Sequence, residues 1–374
     1  MLRHHLFIII GQEHYNPLGI IRSLGQCGIQ SVFIAIKGKS TVSSRSKYIS
    51  RCHFVDSPEE AYQILMAEYS GQKEKPFVLT SDDDIQSLLD MDYERLNEQF
   101  ILFNAGANGR ITQYMDKMAI LELAKKHGLN VLGTVVAEHG TVPENISYPI
   151  ITKSISPNIG GWKSDVHICS SPKELGEAYQ HILSPKVLLQ EFIEKKNEYC
   201  LDGFSVNRGR KVFIPIASTY NYLIRGYYSP YMTVYPFQDK GMSAALQAML
   251  SEIGFEGIFS IEFLIGPDGR YYFSEINFRH STWGYIAAKL GMPLPYLWAE
   301  AMLSGEINKN WHKPIPDGYT AMVEPIDYGK RVESGRISQA DWLMDLKRTD
   351  CLFYLDWDDP EPFREMVKNW GKLS

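Results

Sequence analysis

The sequence predicts an α/β protein: a parallel, Rossmann-like sheet first, then a mixed α+β region, then a small C-terminal lobe. Three observations carry that reading. Leu6-Phe7-Ile8-Ile9-Ile10 is a uniformly apolar, branched run of the kind a strand buried on both faces requires. Strand and helix patterns then alternate through the first hundred residues, the rhythm of βαβ units. Far downstream, Gly266-Pro267-Asp268-Gly269 separates two β-patterned runs and marks a hairpin.

The elements follow in order. Residues 17–27 show helical spacing (Leu18, Ile21, Leu24) and stop at Gly28, a residue suited to a helix C-terminus. Strands are expected at 31–36 and 77–80, the latter entering Ser81-Asp82-Asp83-Asp84 and a helix over 85–89. The texture changes at Gln113. Asp116 can cap a helix over 117–126 that ends at Gly128. Strands are expected at 131–136 and 149–153, followed by a polar loop, 156–164, that contains Gly160 and Gly161. Further strands are expected at 187–190, 199–207 and 211–217, a helix over 242–253, the hairpin strands at 259–265 and 271–275, and helices over 285–290 and 295–303. From about Trp311 the chain is aromatic and mixed, the C-terminal lobe.

Composition narrows the classes of function. At about 150 residues per domain, 374 residues make two or three domains. With 44% hydrophobic and 22% charged residues, a largely disordered chain is excluded. Lys plus Arg is 38 against 44 Asp plus Glu, a net charge of −6, which gives no general attraction to nucleic acid. Five scattered cysteines without a CxxC pair, and no His cluster at metal-ligand spacing, read as reduced thiols and not a zinc site. The early apolar run is too short for a signal-peptide core or a membrane span, so a soluble, cytoplasmic protein is expected. After the first strand stands Gly11-Gln12-Glu13-His14-Tyr15-Asn16, not GxGxxG, which counts against a nicotinamide enzyme. There is no GxxxxGK[ST] either.

The hairpin carries the most chemistry. Glu262 lies in its first strand, Glu275 ends the second, and Asn277 follows two residues on. In extended backbone i and i+2 share a face, so two carboxylates and an amide oxygen converge, a hard oxygen set suited to Mg²⁺ shared with phosphate. Arg279 continues that face with a fork for a carboxylate or phosphate. An ordinary charged hairpin is the rival reading of these residues alone. Lys153 ends an apolar strand just before the glycine-containing loop, where an ammonium and backbone N–H groups could hold phosphates. Gln190-Glu191-Phe192-Ile193 leaves a strand as a hinge lining an adenine slot would.

Together these pieces resemble the ATP-grasp superfamily over roughly residues 1–310. The resemblance rests on Phe259-Ser260-Ile261-Glu262-Phe263-Leu264 with Tyr272-Phe273-Ser274-Glu275-Ile276-Asn277-Phe278-Arg279, on Met115-Asp116-Lys117, on Pro149 to Lys153 with its loop, and on Gln190-Glu191-Phe192-Ile193 with Glu198 behind it. It implies a Rossmann-like domain over 1–112, a central ATP-grasp subdomain over 113–190, a C-terminal subdomain with the metal hairpin over 191–310, and the lobe over 311–374. It also implies roles. Lys117 and Lys153, with Gly160, Gly161 and Ser164 of the loop, would contact the nucleotide phosphates. Gln190, Glu191, Phe192 and Ile193 would line the adenine, and Glu198 the ribose. Glu262, Glu275 and Asn277 would hold two Mg²⁺, with Mn²⁺ as an alternative ion. Arg279 would act with Lys153 in catalysis and hold the substrate carboxylate, beside Arg225, His280 and Ser281. His280-Ser281-Thr282-Trp283 stands where the family often has a small, glycine-rich run, and this bears on the substrate.

The expected function is ATP-dependent ligation of a carboxylate to an amine through an acyl phosphate. Asn16-Pro17-Leu18-Gly19 and the Arg22-Ser23-Leu24 helix look most like amino-acid ligases, including D-aspartate ligases. Rivals are a bicarbonate-activating enzyme of the carboxylase or carbamoyl-phosphate type, and a non-catalytic ATP-binding regulator. Expected partners are small-molecule carboxylate and amine substrates, with neither nucleic acid nor membrane, and a homodimer as the candidate assembly.

Overall fold

The computed structural model describes residues 2–38, 41–144, 146–155, 162–224 and 228–370. Among them the strands form three sheets. The first holds β1 (Phe7–Gln12), β2 (Ser31–Ile36), β3 (Ile49–Val55), β4 (Phe77–Thr80) and β5 (Ile101–Leu102), in the order β3-β2-β1-β4-β5. All of its pairings are parallel. β1 is central, and its apolar residues are buried because sheet neighbours and helices cover it on every side. The chain order reverses between β1 and β4, so the crevice at their carboxyl ends, lined by Gly11 and Ser81-Asp82, is where such sheets receive ligands. A Cβ on Gly11 would stand 2.5 Å from the Ser81 hydroxyl oxygen, so only glycine fits.

Several elements here were not expected from sequence, among them β3, β5 and the helix Pro58–Tyr69. β3 is an edge strand with Ser50 and Arg51 exposed, so it lacks an apolar signature. The helix did carry a signal: Ser57 accepts a hydrogen bond from the Glu60 N–H, with Pro58 in the first turn.

The second sheet comprises β6 (Thr134–Glu138), β7 (Ile150–Ser154), β8 (Ile168–Cys169) and β9 (Lys186–Glu191), ordered β6-β9-β7-β8. Asp116 caps the helix Lys117–Lys126 by accepting from the Met118 and Ala119 N–H groups at 2.9 Å each. The third sheet runs β14 (Tyr271–Asn277), β13 (Gly257–Ile265), β10 (Asn197–Val206), β11 (Lys211–Tyr220), β12 (Tyr231–Pro236), β15 (Thr320–Met322), β16 (Cys351–Leu352).

The segment expected as a small C-terminal lobe, 311–374, contributes strands to this sheet. β15 and β16 extend the third sheet, and the segment beyond them is stitched to the first domain. Arg22, fully buried, donates to Asp359 Oδ2 (2.9 Å) and to the carbonyls of Phe353 (2.7 Å), Tyr354 (3.0 Å) and Asp359 (2.7 Å). The Glu324 carboxylate accepts from the N–H groups of Phe353, Tyr354 and Leu355. Too few apolar side chains lie in this segment for a core of its own, so it takes the cores of its neighbours. No helix among the described residues is long and apolar enough to cross a membrane.

Candidate active site

The site assembles on the β13–β14 hairpin. Its turn closes with the Gly266 N–H donating to the Arg270 carbonyl (2.9 Å), and Gly269 takes φ +80°, which glycine adopts without strain. Register then does the rest: Glu262 stands directly across from Glu275, with Cys200 of β10 on the other side of Glu262. Phe273 and Ile276 point into the core while Glu275, Asn277 and Arg279 stay half-buried, so the three polar side chains share one face.

The electrostatics are those of a cluster short of positive charge. Burial pushes the Glu262 carboxyl well up, and the Glu275 and Glu198 carboxylates push it further, with Arg279 giving partial relief. Neither Glu262 nor Glu275 has an ion-pair partner among the described residues. Glu198 is buried at the end of β10 and is bonded by the Lys195 ammonium. Opposite, burial lowers the Lys153 ammonium, Glu275 and Glu198 oppose that effect, and the like charges of Lys117 and Lys195 add to it. Lys153 lies on β7 of the second sheet. Its Nζ donates to Gln190 Oε1 at 2.9 Å, and the Gln190 amide donates to Thr134 Oγ1 at 3.0 Å. Lys117 Nζ donates to the Ser154 carbonyl at 3.2 Å, at the start of the loop.

The donor set fits a hard divalent cation. Two opposed carboxylates without a counter-charge, one pushed toward its neutral form, are what such an ion relieves. No group of three His, Cys, Asp or Glu side chains among the described residues could hold an ion unaided, so nucleotide phosphate oxygens would complete the shell. Asn277 is engaged at present: its Nδ2 lies 3.4 Å from Glu262 Oε1, and its Oδ1 accepts from Arg279 Nη2 at 3.1 Å.

Arg279 shows what sequence reasoning missed. Its Nε and Nη2 donate bidentately to Asp83 Oδ1 and Oδ2, both at 2.9 Å, from the helix Asp83–Met91 that follows β4. Burial works against the charge of this guanidinium, but Asp83 holds it above its ordinary value. The first domain therefore reaches the hairpin, at the crevice where β1 and β4 part. The signal was the run Asp82-Asp83-Asp84 at the carboxyl end of a strand, although nothing in the sequence pairs it with a residue 196 positions away.

Other expected residues fall as follows. Phe192 spends its N–H on the Pro149 carbonyl (2.9 Å), while the Ile193 N–H has no partner among the described residues. Glu191 is exposed, 3.4 Å from the Gly133 N–H. Ser164 lies exposed in a short helical turn, and its carbonyl accepts from His167 Nε2 at 2.9 Å. Gly160, Gly161 and Arg225 lie outside the described residues.

His280 and Ser281, expected on the substrate side, are both buried. His280 is fully buried between helices, against Gly19 and Gly284, where a Cβ on Gly284 would lie 2.8 Å from Nε2. Burial and the Arg279 charge lower its pKa to about 3, so the ring is neutral, and neither nitrogen has a partner. Ser281 is buried and donates to Asp202 Oδ1 at 2.5 Å.

Comparison with solved structures identifies this arrangement of sheets. An N5-carboxyaminoimidazole synthetase from Staphylococcus aureus matches with a TM-score of 0.67 at 16% identity, over 88% of this chain and 85% of that one. The chain has the ATP-grasp fold. An L-amino acid ligase from Bacillus licheniformis shares it with a TM-score of 0.60 at 15% identity, over 81% of this chain and 77% of that one. So does the biotin carboxylase domain of a Hydrogenobacter thermophilus 2-oxoglutarate carboxylase, crystallised with MgADP, ADP and bicarbonate (TM-score 0.62, 16% identity, 82% and 72% coverage). In sequence, a formate-dependent phosphoribosylglycinamide formyltransferase from Ignicoccus hospitalis is 25% identical over 178 residues, 41% of this chain. The match spans 44% of that relative, less than half of its length. No family model matches the chain.

Proposed function

We propose that this ATP-grasp chain is an ADP-forming ligase that joins a carboxylate to an amine. The observation that carries the reading is the grouping of Glu198, Glu262, Glu275, Asn277 and Arg279 on the third sheet and the end of its hairpin, with Lys153 of the second sheet in electrostatic reach of Glu275 and Glu198. A structural hairpin gains nothing from two opposed, unneutralised carboxylates, whereas a site for metal and triphosphate needs them.

A carboxylate is a poor acyl donor because an attacking amine would have to expel oxide. In the proposed reaction a carboxylate oxygen attacks the γ-phosphorus of ATP and ADP leaves. The amine then attacks the acyl carbon, phosphate leaves, and the amine loses a proton to water or a nearby base. Lys117 and Lys153, with Gly160, Gly161 and Ser164, cradle the phosphates. The free Ile193 N–H and the Phe192 carbonyl offer a donor and an acceptor to the adenine edge, with Glu191 and Gln190 beside them. Glu198 takes the ribose. Glu262, Glu275 and Asn277 would hold two Mg²⁺ or Mn²⁺, which when bound neutralise charge on the transferring phosphoryl group. Arg279 keeps the N–H groups that Asp83 does not use, and these orient the substrate carboxylate and stabilise the oxyanion formed by amine attack. Arg225 remains a candidate on the substrate side.

An amino acid or peptide is the proposed substrate class, the cytoplasm the proposed compartment, and a homodimer the proposed assembly. ADP release measured over pairs of amino acids and short peptides, with mass detection of product, tests the reading. Release that needs both an acid and an amine is expected. Release driven by bicarbonate without an amine would support the carboxylase rival, and binding of ATP without any stimulated release would support a regulator.

A further inference from the structure

A cavity of about 290 Å³ lies between the end of β11, the start of β12 and the C-terminal segment, lined by Asn221, Tyr222, Tyr231, Arg331, Arg336 and Ile337. It is a built feature. Arg331 sits on a π-helical turn, Gly329–Glu333, a local irregularity that is frequent at functional sites. Its guanidinium carbon lies 5.4 and 5.5 Å from the ring centres of Tyr222 and Tyr231, while Nη1 reaches Asp327 (3.4 Å) and Nη2 reaches Asp345 (2.6 Å). The buried Asp327 is fixed in turn by the Tyr222 hydroxyl (2.6 Å) and Trp342 Nε1 (2.9 Å). These contacts make a rigid wall in which two carboxylates, Asp327 and Asp345, share the one guanidinium of Arg331.

Arg336 is different. Its one bond is a long contact, 3.4 Å, from Nη1 to the Leu223 carbonyl, and it has no carboxylate partner among the described residues. Arg336 thus brings to the cavity a planar fork that no carboxylate among the described residues occupies, beside the Asn221 amide. That combination matches a single carboxylate better than a dianionic phosphate. Its volume is near the lower end for small-molecule sites, about 300 Å³ upward, and suits a piece of amino-acid size, not a nucleotide.

Position links the cavity to the active site. Tyr220, the last residue of β11, is held by both sides of the Asn197 amide (N–H to Oδ1 3.0 Å, Nδ2 to carbonyl 2.9 Å), and Asn197 precedes Glu198 in β10. Two residues after Tyr220, where the chain bends, Tyr222 forms the cavity wall.

We propose that this cavity binds the free carboxylate of an amino acid or short peptide, the amine-bearing partner in the reaction. The assignment of that partner rests on the ligase reading; the carboxylate site does not. Arg336 and Asn221 hold the carboxylate, Tyr222 and Tyr231 bound the aliphatic part, and the amine extends toward the hairpin.

The test is binding without turnover. Glycylglycine, glycylglycinamide and inorganic phosphate are titrated by calorimetry into the full chain with MgADP present, and into Arg336→Ala and Arg336→Lys. Glycylglycine is expected to bind, with its amide at least about tenfold weaker. Arg336→Ala should lose about tenfold and Arg336→Lys only part of that, the scale of one charge-assisted hydrogen bond. Equal binding of dipeptide and amide, no dipeptide binding at all, or an Arg336→Ala variant with unchanged affinity would overturn the proposal. Tighter binding of phosphate than dipeptide would overturn the carboxylate assignment. If dipeptide binds but no acid–amine pair releases ADP, the ligase reading fails and the cavity assignment stands.

Discussion

Two arginine–aspartate pairs join the first domain to the rest of the chain, and they do different work. Arg22–Asp359 is sealed, with side chains 0% and 1% exposed, and three carbonyl bonds accompany the ion pair. Arg279–Asp83 is bidentate and equally short, yet its side chains are 17% and 25% exposed and Nη1 has no partner among the described residues. The first spends four of its five N–H donors on the protein, out of reach of solvent, and holds it together. The second keeps donors in reserve at the mouth of a crevice beside opposed carboxylates. Chemistry follows from what a buried charge leaves unspent.

Breaking each pair should therefore give opposite phenotypes. Arg22→Ala leaves Asp359 buried without its counter-charge and should cost about 3–5 kcal/mol of stability. Chemical denaturation would show this, while activity per folded molecule stays close to that of the parent. A loss of activity without a loss of stability would break the comparison from that side.

Arg279→Lys should do the reverse. An ammonium cannot reproduce the planar fork, so carboxylate-dependent turnover should fall by about a hundredfold, the scale of losing one oxyanion donor, with nucleotide binding and melting temperature nearly unchanged. Asp83→Asn sharpens the point, since it keeps a partner for the fork but not the charge. A smaller loss, about tenfold, is expected in kcat.

The smallest effect concerns the wall behind Arg279. Burial raises the Asp202 carboxyl from 3.8 to about 6, offset in part by the Ser281 and Ser260 hydroxyls. A raised carboxyl means that the folded state binds its proton more tightly, so this group's contribution is intact below about pH 4 and is lost as pH rises through about 6. Asp202→Asn should thus be neutral at pH 4 and stabilise by about 1–2 kcal/mol at pH 8. Equal effects at both pH values would show that Asp202 is not the source.

The hairpin was legible in part because its information is local: alternation sets the face of each strand, and Gly266-Pro267-Asp268-Gly269 sets the register from Ile265–Tyr271 to Phe263–Phe273, whereas the β-bulge beyond that pair, which brings Glu262 opposite Glu275, has no signature in the sequence. β1, β2 and β4 were legible for the same reason, as short runs that only a buried strand tolerates. β12, β15 and β16 were not. Thr320–Met322 and Cys351–Leu352 are too short to carry a pattern, and they are strands only because Tyr231–Pro236 offers an edge to extend. Arg22 read as one polar residue on an amphipathic helix, since its partners lie more than 330 positions away. His280 stands in sequence where the ATP-grasp family often has a small, glycine-rich run, and its ring packs against Gly19 and Gly284, a placement that depends on a glycine 261 positions away.

The central claim is that the hairpin carboxylates act on a metal-bound nucleotide. Calorimetric titration of ADP into the parent and into Glu275→Gln, each with and without Mg²⁺, tests it most directly. The parent should bind ADP at least about tenfold more tightly with Mg²⁺, and Glu275→Gln should lose that gain while keeping its fold and its metal-free affinity. An unchanged Mg²⁺ gain in Glu275→Gln would contradict the account.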